Sequence, residues 1–378
     1  MAQKRSKDTS TTLIETTPES AASPPAWFAH AAVVLRAVRV CALGAALGER
    51  MRVARKRAGA YVALDYILLL LTFALSDEPH LKALFDHLAP LATALPALWD
   101  RTALPSRSAL SRFLRAVTPA HVRLLATSLL DDLIDDGIPT QQAGGLYVRD
   151  GLRTVVFDDD GTYHGARQRE LAHDATRPPP ERRADALCAR GYNGGSRRVD
   201  VTRTRTVLQQ AHTQEWLGCW SAPGNGHPFA QLEDACAAVV RYLTGRGLAV
   251  SQGLLRLDGL YGYARPAATI TRHGLGYLMR CADYRLLRRR AVQAVLATPP
   301  QATYASPDSS VQREAWQVLG LPWVAARKAT DAVITRLIIT RRPAVGRASR
   351  AWVCARASGS MSCSSPTAAP PAGRSRTC

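Results

Sequence analysis

Apolar positions recur at helical spacing over residues 26–140, whereas from about residue 141 short strand-like runs alternate with helical ones. The longest apolar stretch, residues 60–75, is interrupted by Asp65 and is too short to span a membrane. We therefore expect a buried helix there. The pattern predicts a helical N-terminal domain over residues 26–140, followed by a mixed domain over residues 141–342.

The mixed domain contains a characteristic order of elements. The pattern predicts strand 152–158, strand 199–208, strand 215–221, helix 229–243 and strand 253–258. This order is similar to that of the ribonuclease-H-like fold, in which the first and fourth strands lie side by side. The expected fold class is α+β, with a helical N-terminal domain before a ribonuclease-H-like mixed β-sheet core with flanking helices.

Acidic residues end the first and fourth predicted strands. Because strand side chains alternate between faces, Asp158 and Asp160 should point one way and Asp159 the other. Adjacent carboxylates repel each other unless a cation or a shared proton intervenes. In the expected topology Asp160 lies near Asp258, and such a pair can hold divalent ions, with Mg²⁺ or Mn²⁺ as the hard cation. A solvated acidic turn before Gly161 is the alternative.

The charge of the chain indicates a polyanionic partner. There are 49 Lys and Arg residues against 30 Asp and Glu, which gives a net charge of +19 and a pI of about 10.2. Such an excess suits nucleic acid, although a ribosomal or membrane-surface role also fits charge alone.

Two basic segments are candidate DNA contacts. The first is a predicted helix from Ser106 to Val117, with Ser106 as N-cap and with Arg107, Arg112 and Arg115 outside its apolar face. An ordinary amphipathic surface helix is the alternative. The second is the Arg-rich segment from Arg182 to Arg205. Its candidate DNA-binding residues are Arg190, Arg197, Arg198, Arg203 and Arg205.

The remaining composition limits the class of protein. Residues 1–25 are polar and lack the apolar core of a signal peptide, so we expect them to be disordered. None of the eight cysteines is paired at Cys-x-x-Cys spacing, which indicates neither a zinc site nor a disulfide scaffold. We expect a cytoplasmic, nucleoid-associated bacterial protein without a membrane partner.

Seven short motifs give the chain a resemblance to a known family. They are Leu104–Leu114, Val156–Thr162, Gly165–Arg169, Arg190–Gly194, Arg203–Arg205, Pro223–Gly226 and Leu257–Gly262. In this order and spacing, over roughly residues 30–342, the chain resembles DDE-type insertion-sequence transposases.

The resemblance implies a function and a site. Transposases of this type catalyse metal-dependent phosphodiester hydrolysis and strand transfer on double-stranded DNA, and we expect a homodimer on the DNA. The family pattern makes Asp160 the first catalytic acid and Asp258 the second, and leaves Asp158 as a neighbour that assists the metal.

The chain departs from the family pattern at its third acid, normally a Glu on a helix after the last core strand. After a predicted strand at residues 333–342, residues 343–378 contain no Asp, Glu, Leu or Ile. We expect a disordered tail there, with a frameshift as the preferred explanation and an inactive copy as a consequence. Glu314 is a weaker candidate for the missing acid. Residues 163–198 are expected to be a basic insertion in the core.

Two other functions compete with a transposase. Residues 155–162 also fit the first motif of haloacid-dehalogenase-like phosphatases, with Asp158 as nucleophile and Asp160 as general acid/base. A long helical region precedes the motif, however, and no later Gly-Asp-x-x-x-Asp motif follows it. The other alternative is a non-catalytic DNA-binding remnant, which needs the basic surface but not the carboxylates.

Overall fold

The structure is a computed structural model that describes residues 24–54, 59–139, 142, 144–147, 153–165, 189–193, 196–223, 229–305, 312–324, 332–341 and 348–355. The chain divides into two compact units, Met1–Asp132 and Leu133–Cys378. The predicted α+β class is confirmed, because a helical region precedes a mixed sheet with flanking helices. The segment 1–25, expected to be disordered, lies almost entirely outside the described residues.

The N-terminal region is helical, as predicted. Its helices are α1 (Trp27–Val40), α2 (Ala42–Arg50), α3 (Ala63–Leu75), α4 (Leu81–Leu88), α5 (Ala94–Ala97), α6 (Arg107–Ala116) and α7 (Pro119–Asp136). Within the described residues no single helix combines the length and the apolar character needed to cross a membrane. Helices α1 and α2 meet that standard only when joined, across a 70° bend.

Helix α3 lies at the centre of the helical core. It is apolar on nearly every side, and Tyr66, Leu68 and Leu69 are buried in it. Its one acid, Asp65, is also buried. The Asp65 carboxylate accepts a hydrogen bond from the Val62 backbone N–H at 2.7 Å and two from the Arg101 guanidinium at 2.9 Å. These bonds explain how an acid is tolerated inside an apolar stretch.

The second unit is built on a sheet. Its described elements are β1 (Leu146–Tyr147), β2 (Arg153–Gly165), β3 (Ala189–Asn193), β4 (Ser196–Gln210), β5 (Trp216–Pro223), α8 (Phe229–Gly245), β6 (Gly253–Leu257), α9 (Ala264–Arg272), β7 (Gly276–Arg280), α10 (Arg290–Leu296), β8 (Ala302–Ala305), β9 (Gln312–Val324), β10 (Ala332–Arg341) and β11 (Ala348–Ala355).

The core of the sheet consists of β2, β4, β5, β6 and β7, and these strands follow the predicted topology. Strand β2 pairs in parallel with β6, which pairs in parallel with β7, while β4 runs antiparallel to both β2 and β5. The resulting order β5-β4-β2-β6-β7 is that of a ribonuclease-H-like sheet. The prediction that the first and fourth strands of the core are neighbours is therefore confirmed.

Strand β2 lies at the centre of this core sheet and packs against helix α8. Val155, Val156 and Phe157 are buried, as a strand with apolar residues on both faces requires. The Phe157 ring packs edge-on against Tyr242 of α8, with ring centroids 5.7 Å apart. Helix α8 covers the face of β2 that carries Phe157. On the opposite face, the residues that follow the apolar run are accessible to solvent.

A second set of strands extends the sheet beyond β7. In the described residues the order continues as β11-β10-β9-β8, with every pair antiparallel. The predicted strand at residues 333–342 corresponds to β10. The expectation of a disordered tail over residues 343–378 does not hold for the eight residues of β11, which pair with both β7 and β10. The remainder of that tail lies outside the described residues.

Candidate active site

The three consecutive aspartates of β2 divide between the two faces of the sheet. Asp159 is buried at 2% exposure, whereas Asp160 is exposed and Asp158 is half-buried. The alternation expected from the sequence is therefore present, because Asp158 and Asp160 share one face and Asp159 points to the other.

Asp160 and Asp258 come together where the parallel pairing of β2 and β6 ends. In the parallel register Asp158 lies beside Arg256 and Asp159 beside Leu257, so the next position pairs Asp160 with Asp258. Partial burial raises the pKa of Asp258, and the negative charge of Asp160 raises it further. The two carboxylates therefore lie within electrostatic reach of each other, at the carboxyl end of β6 and beside the middle of the longer strand β2.

Local contacts hold Asp258 in place. Its carboxylate accepts a hydrogen bond from the Leu260 backbone N–H at 2.8 Å and so caps a short 3₁₀ turn, Gly259–Tyr261. The charge of Arg280, at the end of neighbouring β7, also lowers the pKa of Asp258 and opposes part of the rise. Asp258 is therefore a positioned, solvent-accessible acid.

Asp158 has a different environment. Arg256 of β6 donates hydrogen bonds to both of its carboxylate oxygens, each at 2.6 Å. A bidentate pair of this kind uses one lone pair on each oxygen and balances the charge of Asp158, so Arg256 competes with a metal or a phosphorus atom for this carboxylate. The predicted assistance to a metal and the phosphatase role as nucleophile stay predictions for Asp158, and in both roles it would have to share its carboxylate with Arg256.

Asp159 belongs to the site and was not singled out from the sequence. Burial raises its pKa to about 7, with further contributions from the charges of Asp160 and Asp258. The nearby Tyr261 hydroxyl lowers the pKa of Asp159 and so offsets part of this rise, although the two groups do not have the geometry of a hydrogen bond. Both Asp159 oxygens and the Tyr261 hydroxyl have no hydrogen-bond partner in the part of the chain that the structure describes. Only the alternation of side chains along β2 could have indicated this buried carboxyl.

A third acid does not join this pair among the described residues, which contain no group of three His, Cys, Asp or Glu side chains arranged to hold a metal. Glu314, the weaker candidate, lies in β9 and forms an ion pair with Arg341 at 2.8 Å. Two accessible carboxylates still fit Mg²⁺, which takes one or two protein carboxylates and completes its shell with water and substrate phosphate. A bound cation would relieve the charge repulsion between Asp160 and Asp258.

The candidate DNA-binding residues fall into three groups. In α6, Ser106 caps the helix by accepting a hydrogen bond from the Ala109 N–H at 3.2 Å, as predicted, and the three arginines are exposed. Leu114 of the same helix is 40% exposed. In β4, Arg203 and Arg205 are exposed. The backbone of Arg190 lies in β3 and that of Arg197 and Arg198 in β4, but their side chains lie outside the described part of the structure.

The fold and site define a class: an α+β chain with a helical N-terminal region and two neighbouring acids where two adjacent parallel strands of a ribonuclease-H-like sheet stop pairing. No protein-family model matches the chain, and no curated protein is similar enough in sequence to be matched to it.

Proposed function

We propose that this chain is a DNA transposase of the DDE type, which carries out metal-dependent phosphodiester hydrolysis and strand transfer. The observation that carries the proposal is the placement of Asp160 and Asp258. They lie side by side where the parallel pairing of β2 and β6 ends, and their charges interact. Carboxylates placed in this way suit phosphoryl transfer, because they can hold a divalent cation against a phosphate.

The residues of the chain then have separate tasks. Asp160 and Asp258 would hold Mg²⁺ or Mn²⁺, which when bound supplies activation of the attacking hydroxyl and stabilisation of the leaving oxygen. Asp258 is kept in place by the Leu260 N–H. Arg280 places a positive charge beside Asp258, at the edge where a phosphate would approach. Asp158 is engaged by Arg256 and would serve to fix β2 and β6 relative to each other beside the site.

Double-stranded DNA is the proposed partner. The net charge of +19 and the exposed arginines of α6 and β4 support it, since binding of this kind depends on phosphate neutralisation. With two carboxylates in place and the third acid not found among the described residues, we expect metal and DNA binding to survive better than cleavage.

Metal binding tests the proposal directly. Mn²⁺ titrated into the full chain should lose its free-ion electron paramagnetic resonance signal as it binds. Asp160→Asn or Asp258→Asn should abolish this binding, because each removes one of two carboxylate ligands. Asp234→Asn is the matched control, since it removes an exposed acid of α8 that is not one of the two proposed ligands.

Plasmid nicking completes the test. We expect weak nicking of supercoiled DNA that requires Mg²⁺ or Mn²⁺ and disappears in Asp258→Asn. Equal Mn²⁺ binding by wild type and both site variants would contradict the proposal. DNA binding without any metal effect would favour the non-catalytic remnant, and phosphomonoester hydrolysis lost in Asp158→Asn would favour the phosphatase.

A further inference from the structure

The sheet face that carries Asp160 continues away from the acids as a row of polar side chains. In the antiparallel register of β2 and β4, Thr162 lies opposite Arg205 and His164 opposite Arg203. Directly opposite residues share a face, and alternate residues of β2 place Asp160, Thr162 and His164 together. Thr162 and both arginines are exposed, and His164 is half-buried.

Strand β5 widens the same face. Ser221 lies opposite Arg205 and Cys219 opposite Val207, and both are exposed. Partial burial raises the pKa of the Cys219 thiol, and the charge of Arg205 offsets part of that rise. The guanidinium is therefore within electrostatic reach of the sulfur, so Cys219 reports on the surroundings of Arg205.

The opposite face of β4 carries Thr202, Thr204 and Thr206, all of which are buried. Polar side chains therefore line both faces of this strand, but only the face with the arginines meets solvent. One face of β4 is therefore buried in the protein, and the other face presents its arginines to solvent.

Among the residues that the structure describes, the arginines of this face have no acidic partners. Neither Arg203 nor Arg205 forms an ion pair with a described acid, and Asp160, on the same face, forms none either. The positive charges thus remain available next to the Asp160–Asp258 pair. From Asp160 to His164 the strand covers about 13 Å, the length of a few nucleotides along one DNA strand.

We propose that Thr162, His164, Arg203 and Arg205, which we call the phosphate track, bind the backbone of one DNA strand and lead it to Asp160 and Asp258. The arginines would contact phosphate oxygens, and the Thr162 hydroxyl and the His164 ring would donate further hydrogen bonds to the same backbone. The proposal rests on the proposed function and adds the path that the substrate takes across the protein.

Alkylation of Cys219 tests the path without any cleavage. The full chain is treated with N-ethylmaleimide in EDTA, with and without duplex DNA, and each cysteine is followed by peptide mass spectrometry. DNA should slow modification of exposed Cys219 several-fold, and high salt should remove the protection. Buried Cys236 and Cys281 serve as internal controls for unfolding.

A charge-matched pair of variants tests the arginines. Arg203→Gln with Arg205→Gln should weaken duplex binding and reduce the slope of log K against log salt concentration by about 2, since two phosphate contacts are lost. Arg123→Gln with Arg290→Gln removes two exposed arginines elsewhere and should leave the Cys219 protection in place.

The outcomes separate the track from the proposed function. DNA binding with unprotected Cys219 and an unchanged salt slope in the Arg203/Arg205 variant would overturn the track alone, because Mn²⁺ binding decides the metal site independently. Tighter binding of RNA than of DNA would overturn the choice of DNA. No binding of either nucleic acid at low salt would overturn both proposals.

Discussion

Replacement of the buried carboxyl by an amide, Asp159→Asn, should change how the stability of the second unit depends on pH. The folded-state pKa of Asp159 is about 7, against 3.8 for the unperturbed group. The proton is therefore held more tightly in the folded protein than in the unfolded one. Its stabilising contribution is fully present below pH 3.8 and is lost as pH rises through 7.

The magnitude follows from the width of that window. Each unit of pKa difference corresponds to about 1.36 kcal/mol. Between pH 5 and pH 8 the wild type should lose about 3 kcal/mol of unfolding free energy through this group, because the folded state must then hold a buried charge. The Asn variant has no such titration. Its stability relative to wild type should rise by about 3 kcal/mol over the same range.

The measurement is hydrogen exchange of the β2 and β6 amides in EDTA at pH 5 and pH 8, corrected for intrinsic exchange rates. Exchange at these amides reports the opening of this sheet rather than of the helical unit. Asp234→Asn, an exposed acid of α8, is the control and should follow the wild type. Comparing the change between two pH values removes the constant cost of placing an amide beside Tyr261. An identical pH dependence in wild type and Asp159→Asn would refute the reasoning.

The other predictions concern stability and assembly. Arg101→Ala should destabilise the helical unit by about 2–3 kcal/mol because it leaves buried Asp65 without its counter-charge, whereas Arg39→Ala, at an exposed pair, should cost at most about 1 kcal/mol in denaturant titrations. Ser106→Ala should cost about 1 kcal/mol through loss of the α6 cap, visible as a lower Tm. Removal of residues 348–378 should leave unpaired edges on β7 and β10 and produce aggregation in light scattering, and a monodisperse product would contradict the role of β11.

The sequence predicted most of the elements that place the candidate site. Apolar runs with flanking turns gave β2, β4, β5, β6 and β10, and the helical face of α8 followed from the spacing of Leu232, Cys236 and Val239. Helix α3 was also predicted, since Asp65 is the one charged residue in its apolar stretch. In these elements the spacing of apolar residues along the sequence directly indicates which side chains are buried.

The unpredicted features depend on partners distant in sequence. The pairing of Asp158 with Arg256 could not be read from spacing, because it arises only when β2 and β6 align in one register. Alternation along β2 indicates that Asp159 faces away from Asp158 and Asp160, but its raised pKa arises only when the folded chain buries it near Asp160 and Asp258. A run of three aspartates looks uniform in sequence, yet each lies in a different electrostatic environment once the strand has neighbours.

Strand β11 shows why composition misjudged the tail. Residues 343–378 lack Asp, Glu, Leu and Ile, which predicts the absence of a packed core. A strand between two others, however, is held first by its backbone N–H and C=O groups, which every residue except proline supplies in full. In the described strand order β11 joins β7 to β10, so the core sheet and the strands β8–β10 are continuous through it. Low sequence complexity is therefore compatible with a central position in a sheet, provided that both neighbouring strands offer an open edge.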